Sequence, residues 1–175
     1  MTRVKPGDRI AVEPATACHQ CDQCLAGRPH TCRKLTFLGY PGQAEGCLAD
    51  YILMKEESCY PIPEQMTLEE AALSEPLSIG LYAVKLSIPM RHARIGIPEV
   101  DRIAFSMDNM RRKEICIQNV RRRNHCVQAA LNMIAGKLCD VNIMTTHRFP
   151  LERTHEAFDL VESYQDGVVK AMIEI

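Results

Sequence analysis

Four cysteines carry the clearest chemistry in this chain. Cys18, Cys21, Cys24 and Cys32 fall within fifteen residues, separated by two, two and seven residues. The short spacings gather three sulfurs round one point, and the longer loop carries the fourth over it. Tetrahedral zinc held by four thiolates at roughly 2.3 Å fits this pattern, and four protein ligands leave no position open for a substrate. Disulfides or a redox Cys-x-x-Cys pair are the alternatives; three interlocking short spacings favour one structural zinc per chain. Such a site holds a loop in shape, so reaction chemistry must be sought elsewhere. His19 and His30 lie inside the same loop and could replace a thiolate. Four cysteines already complete the shell, so both histidines are expected at the surface.

The other reactive residue types are scattered. Cys47, Cys59, Cys116, Cys126 and Cys139 fall on segments read as strands or helices and are expected to be buried apolar fillers. His92, His125, His147 and His155 show no i, i+4 pairing of the metalloprotease kind. No Ser-His-Asp set, Walker loop or carboxylate pair can be argued from spacing. The nine glycines never form Gly-x-Gly-x-x-Gly, the turn that cradles a dinucleotide pyrophosphate.

Composition sets the class. Hydrophobic residues make up 46% and charged residues 25% of the 175, which is globular rather than disordered. The net charge of -1, from 21 basic and 22 acidic residues, gives no electrostatic case for nucleic acid or an anionic membrane. Arg111-Arg112-Lys113 and Arg121-Arg122-Arg123 are short clusters without interleaved aromatics, so they do not change that reading. The first residues, Met-Thr-Arg-Val-Lys-Pro-Gly-Asp, lack a signal-peptide core, and no apolar run approaches the 18 or so residues of a membrane helix. Nine cysteines, four of them on metal, point to a reducing compartment, read as the cytoplasm.

The elements that must position these residues can be outlined. Pro6-Gly7-Asp8 turns into a strand ending at Val12, and Asp50–Met54 and Cys59–Ile62 are further strands. Thr67-Leu68-Glu69-Glu70 is a capping box that starts a short helix. Because Glu75 precedes Pro76, that helix is expected to end near Ser74, with a second running from about Leu77 to Leu86. Ala93–Ile97 and Glu114–Val120 read as strands. Asn124 is expected to cap a helix burying Val127, Ala130, Leu131, Ile134 and Leu138. Asn142–Thr145 is a strand, Leu151–Tyr164 a helix with Phe158, Val161 and Tyr164 inward, and Val168–Ile175 a closing strand.

These motifs resemble a known family. Val4-Lys5-Pro6-Gly7-Asp8-Arg9, the four-cysteine loop, Ser74-Glu75-Pro76-Leu77-Ser78 and His147-Arg148-Phe149-Pro150-Leu151-Glu152 together are similar to the medium-chain zinc-dependent dehydrogenases. Glu-Pro-Leu-Ser is closest to the sorbitol and polyol branch. The resemblance implies an α+β chain: a partial GroES-like β-barrel with a four-cysteine zinc lobe, over 1–90 and 141–175, plus a remnant of an α/β Rossmann domain over 91–140. It implies an oxidoreductase family that uses NAD(P) and a second, catalytic zinc, acting on a small alcohol or polyol. The segment carrying the family's catalytic-zinc ligands is not in this sequence, and Ile95-Gly96-Ile97 runs into Pro98 where the dinucleotide turn belongs.

Of the family's catalytic surroundings, the resemblance leaves Glu75, facing the zinc or its water, and Arg121, near substrate. The competing readings are a helix N-terminal carboxylate for Glu75 and a solvated basic cluster for Arg121, Arg122 and Arg123. The chain is therefore expected to bind zinc and to be inactive alone. The alternatives are a partner chain that completes an active oxidoreductase, or a zinc-stabilised oligomerisation module. Unpaired sheet edges favour a homo-oligomer.

Overall fold

A computed structural model describes residues 3–86, 102–114 and 117–175. The expected strand Ala93–Ile97, His92 and Cys116 lie outside these residues. In chain order the described elements are β1 (Ile10–Val12), β2 (Ala15–Thr16), α1 (Asp22–Leu25), β3 (Thr36–Phe37), β4 (Cys59–Pro61), α2 (Leu68–Leu86), α3 (Met107–Arg112), α4 (Val127–Ala135), β5 (Thr145–Pro150), α5 (Thr154–Ser163) and β6 (Lys170–Glu174). Two compact units divide the chain. The first comprises Met1–Val12, Lys55–Leu77 and Gln128–Ile175; the second comprises Glu13–Met54 and Ser78–Val127. Among the described residues no helix is long and apolar enough to cross a membrane.

The first unit is held by apolar burial. The turn before β1 places Gly7 at φ +90°, a conformation that glycine adopts without cost. β1 pairs antiparallel with β4, Ala11 opposite Tyr60. Pro61 has no N–H to give the ladder, and the next amide, Ile62, takes over with a 3.0 Å bond to Arg9 O. Ala11, Cys59, Ile62, Met66, Ala71, Leu73, Ala130, Leu131, Ile134, Val141 and Ala157 are buried.

The capping box forms as expected. Glu70 N–H donates to Thr67 Oγ1 at 3.0 Å, and Thr67 N–H donates to the Glu70 carboxylate at 2.8 Å. The helix it starts does not end at Ser74. α2 is continuous from Leu68 to Leu86 with Pro76 inside, so the expected break is corrected to one 19-residue helix. Pro76 removes one donor from the ladder. In the turn before it, Ser74 Oγ donates to Ala71 O at 2.6 Å. Burial of Ala71 and Leu73 opposes the local preference of a residue before proline.

Later elements depart from expectation in instructive ways. Asn142–Met144 is a 3-10 turn, and the strand begins only at Thr145. β5 pairs with β6 in parallel, with α5 as the connection. Thr146 Oγ1 accepts from Val169 N–H at 2.9 Å. Arg148 donates to Glu69 at 2.6 Å and to Glu174 at 3.2 Å. α4 buries Val127, Ala130, Leu131 and Ile134, but Leu138 is exposed, because the helix stops at Ala135 and Lys137 turns to φ +53°. α5 buries small Ala157 and leaves Phe158, Val161 and Tyr164 outside. The inward face expected of these three is corrected: all are exposed, and Tyr164 lies past the helix end at φ +51°.

The second unit buries polar side chains among apolar ones. β2 pairs with β3, Ala15 opposite Phe37. Around them Cys32, Tyr82, Cys126 and Val127 are buried together with His30, Ser78 and Arg123. The strand expected at Asp50–Met54 is absent: the segment has no regular structure, and Tyr51 and Leu53 are almost fully exposed. No described hydrogen bond reaches residues 47–54, so nothing there satisfies a strand's amides. The strand expected at Glu114–Val120 also fails over its described part. Glu114 sits at φ +49° and 117–120 have no regular structure.

Candidate metal centre

The cysteine lobe follows from local chain chemistry. Cys21 is the N-cap of α1, and Cys24 lies within that single helical turn. Gly27, at φ +73°, reverses the chain, with its N–H on Cys24 O at 3.0 Å. A 3-10 turn, Pro29–Thr31, then delivers Cys32. Thr31 Oγ1 donates to Gln23 Oε1 at 2.9 Å and ties the return to the helix.

The four sulfurs converge. Each lies within 4.8 Å of the others. Cys21 Sγ is 3.5 Å from Cys24 Sγ and 3.9 Å from Cys32 Sγ, and Cys18 Sγ is 4.0 Å from Cys24 Sγ. Tetrahedral zinc with bonds of roughly 2.3 Å needs sulfurs about 3.8 Å apart, whereas a disulfide needs about 2.05 Å. The set therefore fits zinc, and none of the four is cross-linked here. The backbone N–H groups of Cys18 and Lys34 both point at Cys32 Sγ at 3.3 Å.

Electrostatics divide the thiols. The backbone amides of Arg33 and then Cys24 pull the Cys21 thiol down to about 6, and the Gln20 amide lowers Cys18. Burial, and then hydrogen bonds from the Cys21 and Cys32 side chains, push the Cys24 thiol up to about 12. Without metal the cluster therefore keeps at least one proton at neutral pH, which metal binding must displace. Outside the sulfurs, Arg33 holds Asp22 well below the usual carboxylate range through bonds of 2.5 and 2.7 Å. Both side chains are more than half exposed, so this pair contributes little to stability.

The histidines of the loop part company. His19 is exposed at φ +58°, as expected. His30 is buried, which corrects the surface reading. Its Nε2 meets Tyr82 Oη at 3.1 Å, with the rings edge to face at 71°. Burial lowers its pKa, opposed by a hydrogen bond to the Asn124 side chain. That last contact is loose, since neither His30 Nδ1 nor Asn124 Oδ1 reaches full hydrogen-bond geometry with any described group.

The arginine cluster is also corrected. Only Arg121 is exposed. Arg123 is buried and bidentate with Glu13, their side chains 4% and 17% exposed, which makes this a desolvated pair. Arg122 stacks over the Phe37 ring at 4.7 Å. Asn124 lies outside α4 instead of capping it and donates to Gly27 O at 3.2 Å. Glu75 is half-buried within α2 in the first unit, and Arg121 belongs to the second. The structure thus brings the four cysteines together and describes Glu75 and Arg121 separately. Sequence reading missed Glu13 and Tyr82, which meet partners 110 and 52 residues away. Of the other cysteines, Cys59 and Cys126 are buried fillers, Cys139 is half-buried and Cys47 is exposed.

Known proteins place this geometry. Residues 1–64 match the alcohol dehydrogenase GroES-like domain. The chain is 41% identical over 85 residues to D-xylulose reductase A of Aspergillus niger, covering 49% of this chain and 24% of that protein. It thus spans about a quarter of the curated relatives it matches. An oxidoreductase/dehydrogenase of unknown specificity from Escherichia coli superposes with TM-score 0.84 at 18% identity, over 100% of this chain and 78% of that one. A structure from Sinorhizobium meliloti, described as a zinc-binding dehydrogenase bound to NADP, gives 0.80 at 17% identity over 98% and 78%. Residues 1–64 are thus similar to the alcohol dehydrogenase GroES-like domain, and the chain resembles D-xylulose reductase in sequence and dehydrogenase structures in fold.

Proposed function

We propose that this chain is a zinc-stabilised relative of the NAD(P)-linked alcohol and polyol dehydrogenases that holds one structural zinc and has no dehydrogenase activity alone. The observation that carries this is the closed shell of Cys18, Cys21, Cys24 and Cys32. Four convergent sulfurs leave the ion no position at which to polarise an alcohol. In this reading residues 1–90 and 141–175 are the GroES-like portion, and 91–140 are the end of a Rossmann domain. Glu75 and Arg121 keep the places of a catalytic site whose zinc and nicotinamide this chain does not hold by itself. The xylulose reductase relative points to a small polyol as substrate of a completed site. The cytoplasm is its proposed compartment, since zinc-bound and free thiols need reducing conditions.

Metal analysis with calorimetry tests it: one zinc per chain, no micromolar binding of NAD or NADP, and no oxidation of xylitol or sorbitol are expected. Two zincs per chain, or a measurable nicotinamide affinity, would overturn it.

One observation favours an additional role in self-assembly. Residues 47–54 combine exposed Leu48, Tyr51 and Leu53 with backbone groups that make no described hydrogen bond. An extended segment of this kind pairs readily with a second copy of itself. Light scattering is expected to give a dimer or larger, and Leu53→Lys to shift it towards monomer; a wild-type protein that stays monomeric at high concentration removes this role.

A further inference from the structure

The four sulfurs of the lobe are not equivalent. Cys21 and Cys24 belong to one helical turn, Cys21 as the N-cap of α1 and Cys24 inside it. Their Sγ atoms are 3.5 Å apart, nearer than the 3.9 Å between Cys21 and Cys32 or the 4.0 Å between Cys18 and Cys24. Residues at i and i+3 of a helical turn are neighbours, so side-chain rotation with little backbone movement brings these two sulfurs to the roughly 2.05 Å of a disulfide. Cys32 is committed elsewhere: it is buried, and its Sγ accepts the backbone N–H groups of Cys18 and Lys34, both at 3.3 Å. Cys18 lies outside the turn, beyond His19 at φ +58°. Around Cys21 and Cys24 the surface is open. Gln20, Asp22, Leu25 and Ala26 are exposed, and the two cysteines are only half-buried, so a small oxidant reaches them.

We propose that Cys21 and Cys24 form a peroxide-sensitive pair, joined by oxidation into a disulfide that dismantles the four-sulfur shell, so that the lobe keeps its metal only while these thiols are reduced. This rests on the structural-zinc reading above. The co-reactant is hydrogen peroxide. One thiolate sulfur of the pair attacks a peroxide oxygen, the O–O bond breaks and hydroxide leaves, which gives a sulfenic acid. The other thiolate attacks that sulfur, the S–O bond breaks and a second hydroxide leaves. The two sulfurs together lose two electrons, the peroxide gains them, and two protons from solvent turn the hydroxides into water. Cys18 and Cys32 then remain as two ligands where four stood, too few for a structural zinc site. A lobe that only scaffolds predicts the opposite order of sensitivity, with the exposed Cys47 thiol oxidised and the zinc kept.

The test uses the full chain, loaded with zinc and treated with hydrogen peroxide. Zinc release to a chromogenic chelator is expected to quicken at least about tenfold over the untreated protein, with two thiols lost for each zinc released. Peptides cut before Asp22 and mapped without reduction should show a Cys21–Cys24 cross-link. Dithiothreitol is expected to restore both the thiols and zinc uptake. Cys47→Ser, which removes an exposed thiol outside the lobe, should release zinc at the wild-type rate. Zinc retained while Cys47 is oxidised, sulfinic acids without a cross-link, a cross-link through Cys18, Cys32 or Cys47 in place of Cys21–Cys24, or release that depends on Cys47 would each overturn the pair. Failure of the metal reading is separately visible as untreated protein that takes up less than one zinc.

Discussion

The two units bury different kinds of residue, and the contrast explains what each depends on. The first unit buries Leu73, Leu131, Ile134, Val141 and similar side chains, so its order rests on apolar area removed from water. The second also buries His30, Ser78 and Arg123 beside the cysteine lobe, so its order depends in part on polar partners such as Tyr82 and Glu13. An apolar core tolerates loss of one contact by degrees. A polar one does not, because each removed partner leaves a buried charge or donor behind. The second unit is therefore the more specific and the more fragile of the two.

Metal removal should give the largest difference between them. A chelator is expected to abolish amide-exchange protection over 18–34 and to leave β5 and β6 protected, with up to about 10 kcal/mol of binding energy at stake in the lobe. Simultaneous loss in both units would break the contrast. The affinity should also fall as pH drops from 8 to 6. Zinc needs thiolates, and Cys24, raised to about 12, holds its proton throughout that window in the metal-free protein. The slope expected is at least about tenfold per pH unit, read by competition with a calibrated chelator.

Glu13→Ala comes next. It leaves the Arg123 guanidinium buried without its bidentate partner and should destabilise the second unit by about 3–5 kcal/mol in chemical denaturation. A change below about 1 kcal/mol would mean that this pair is solvated, as exposed pairs are. In the first unit, Leu131→Ala opens a cavity at a 2% exposed site and should cost about 2–5 kcal/mol, with zinc stoichiometry unchanged. Thr67→Ala removes one capping bond of α2 and should cost about 1 kcal/mol.

How much could be read in advance depended on how far apart partners lie. The capping box, the turn at Pro6-Gly7 and the cysteine lobe all close within fifteen residues, and each formed as the residue pattern required. Helical stripes were legible as stripes on α4 and α5. Which face packs was not, since Phe158 is outside while its neighbour Ala157 is buried. Asp50–Met54 has strand-like residues, yet a strand exists only where another supplies hydrogen bonds, and none in the described residues does. Pro76 argued for a break in α2, and burial on either side of it decided otherwise.

The sequence by itself determined the four-sulfur cluster: cysteine spacing dictates where the sulfurs can meet, and they converge without help from distant residues. Only the tertiary structure decided the fate of its polar neighbours. Nothing local distinguishes Arg123 from Arg121 or His30 from His19. Glu13, Phe37 and Tyr82 separate them, because a charge or ring nitrogen can be buried only where a distant partner takes over the role of water.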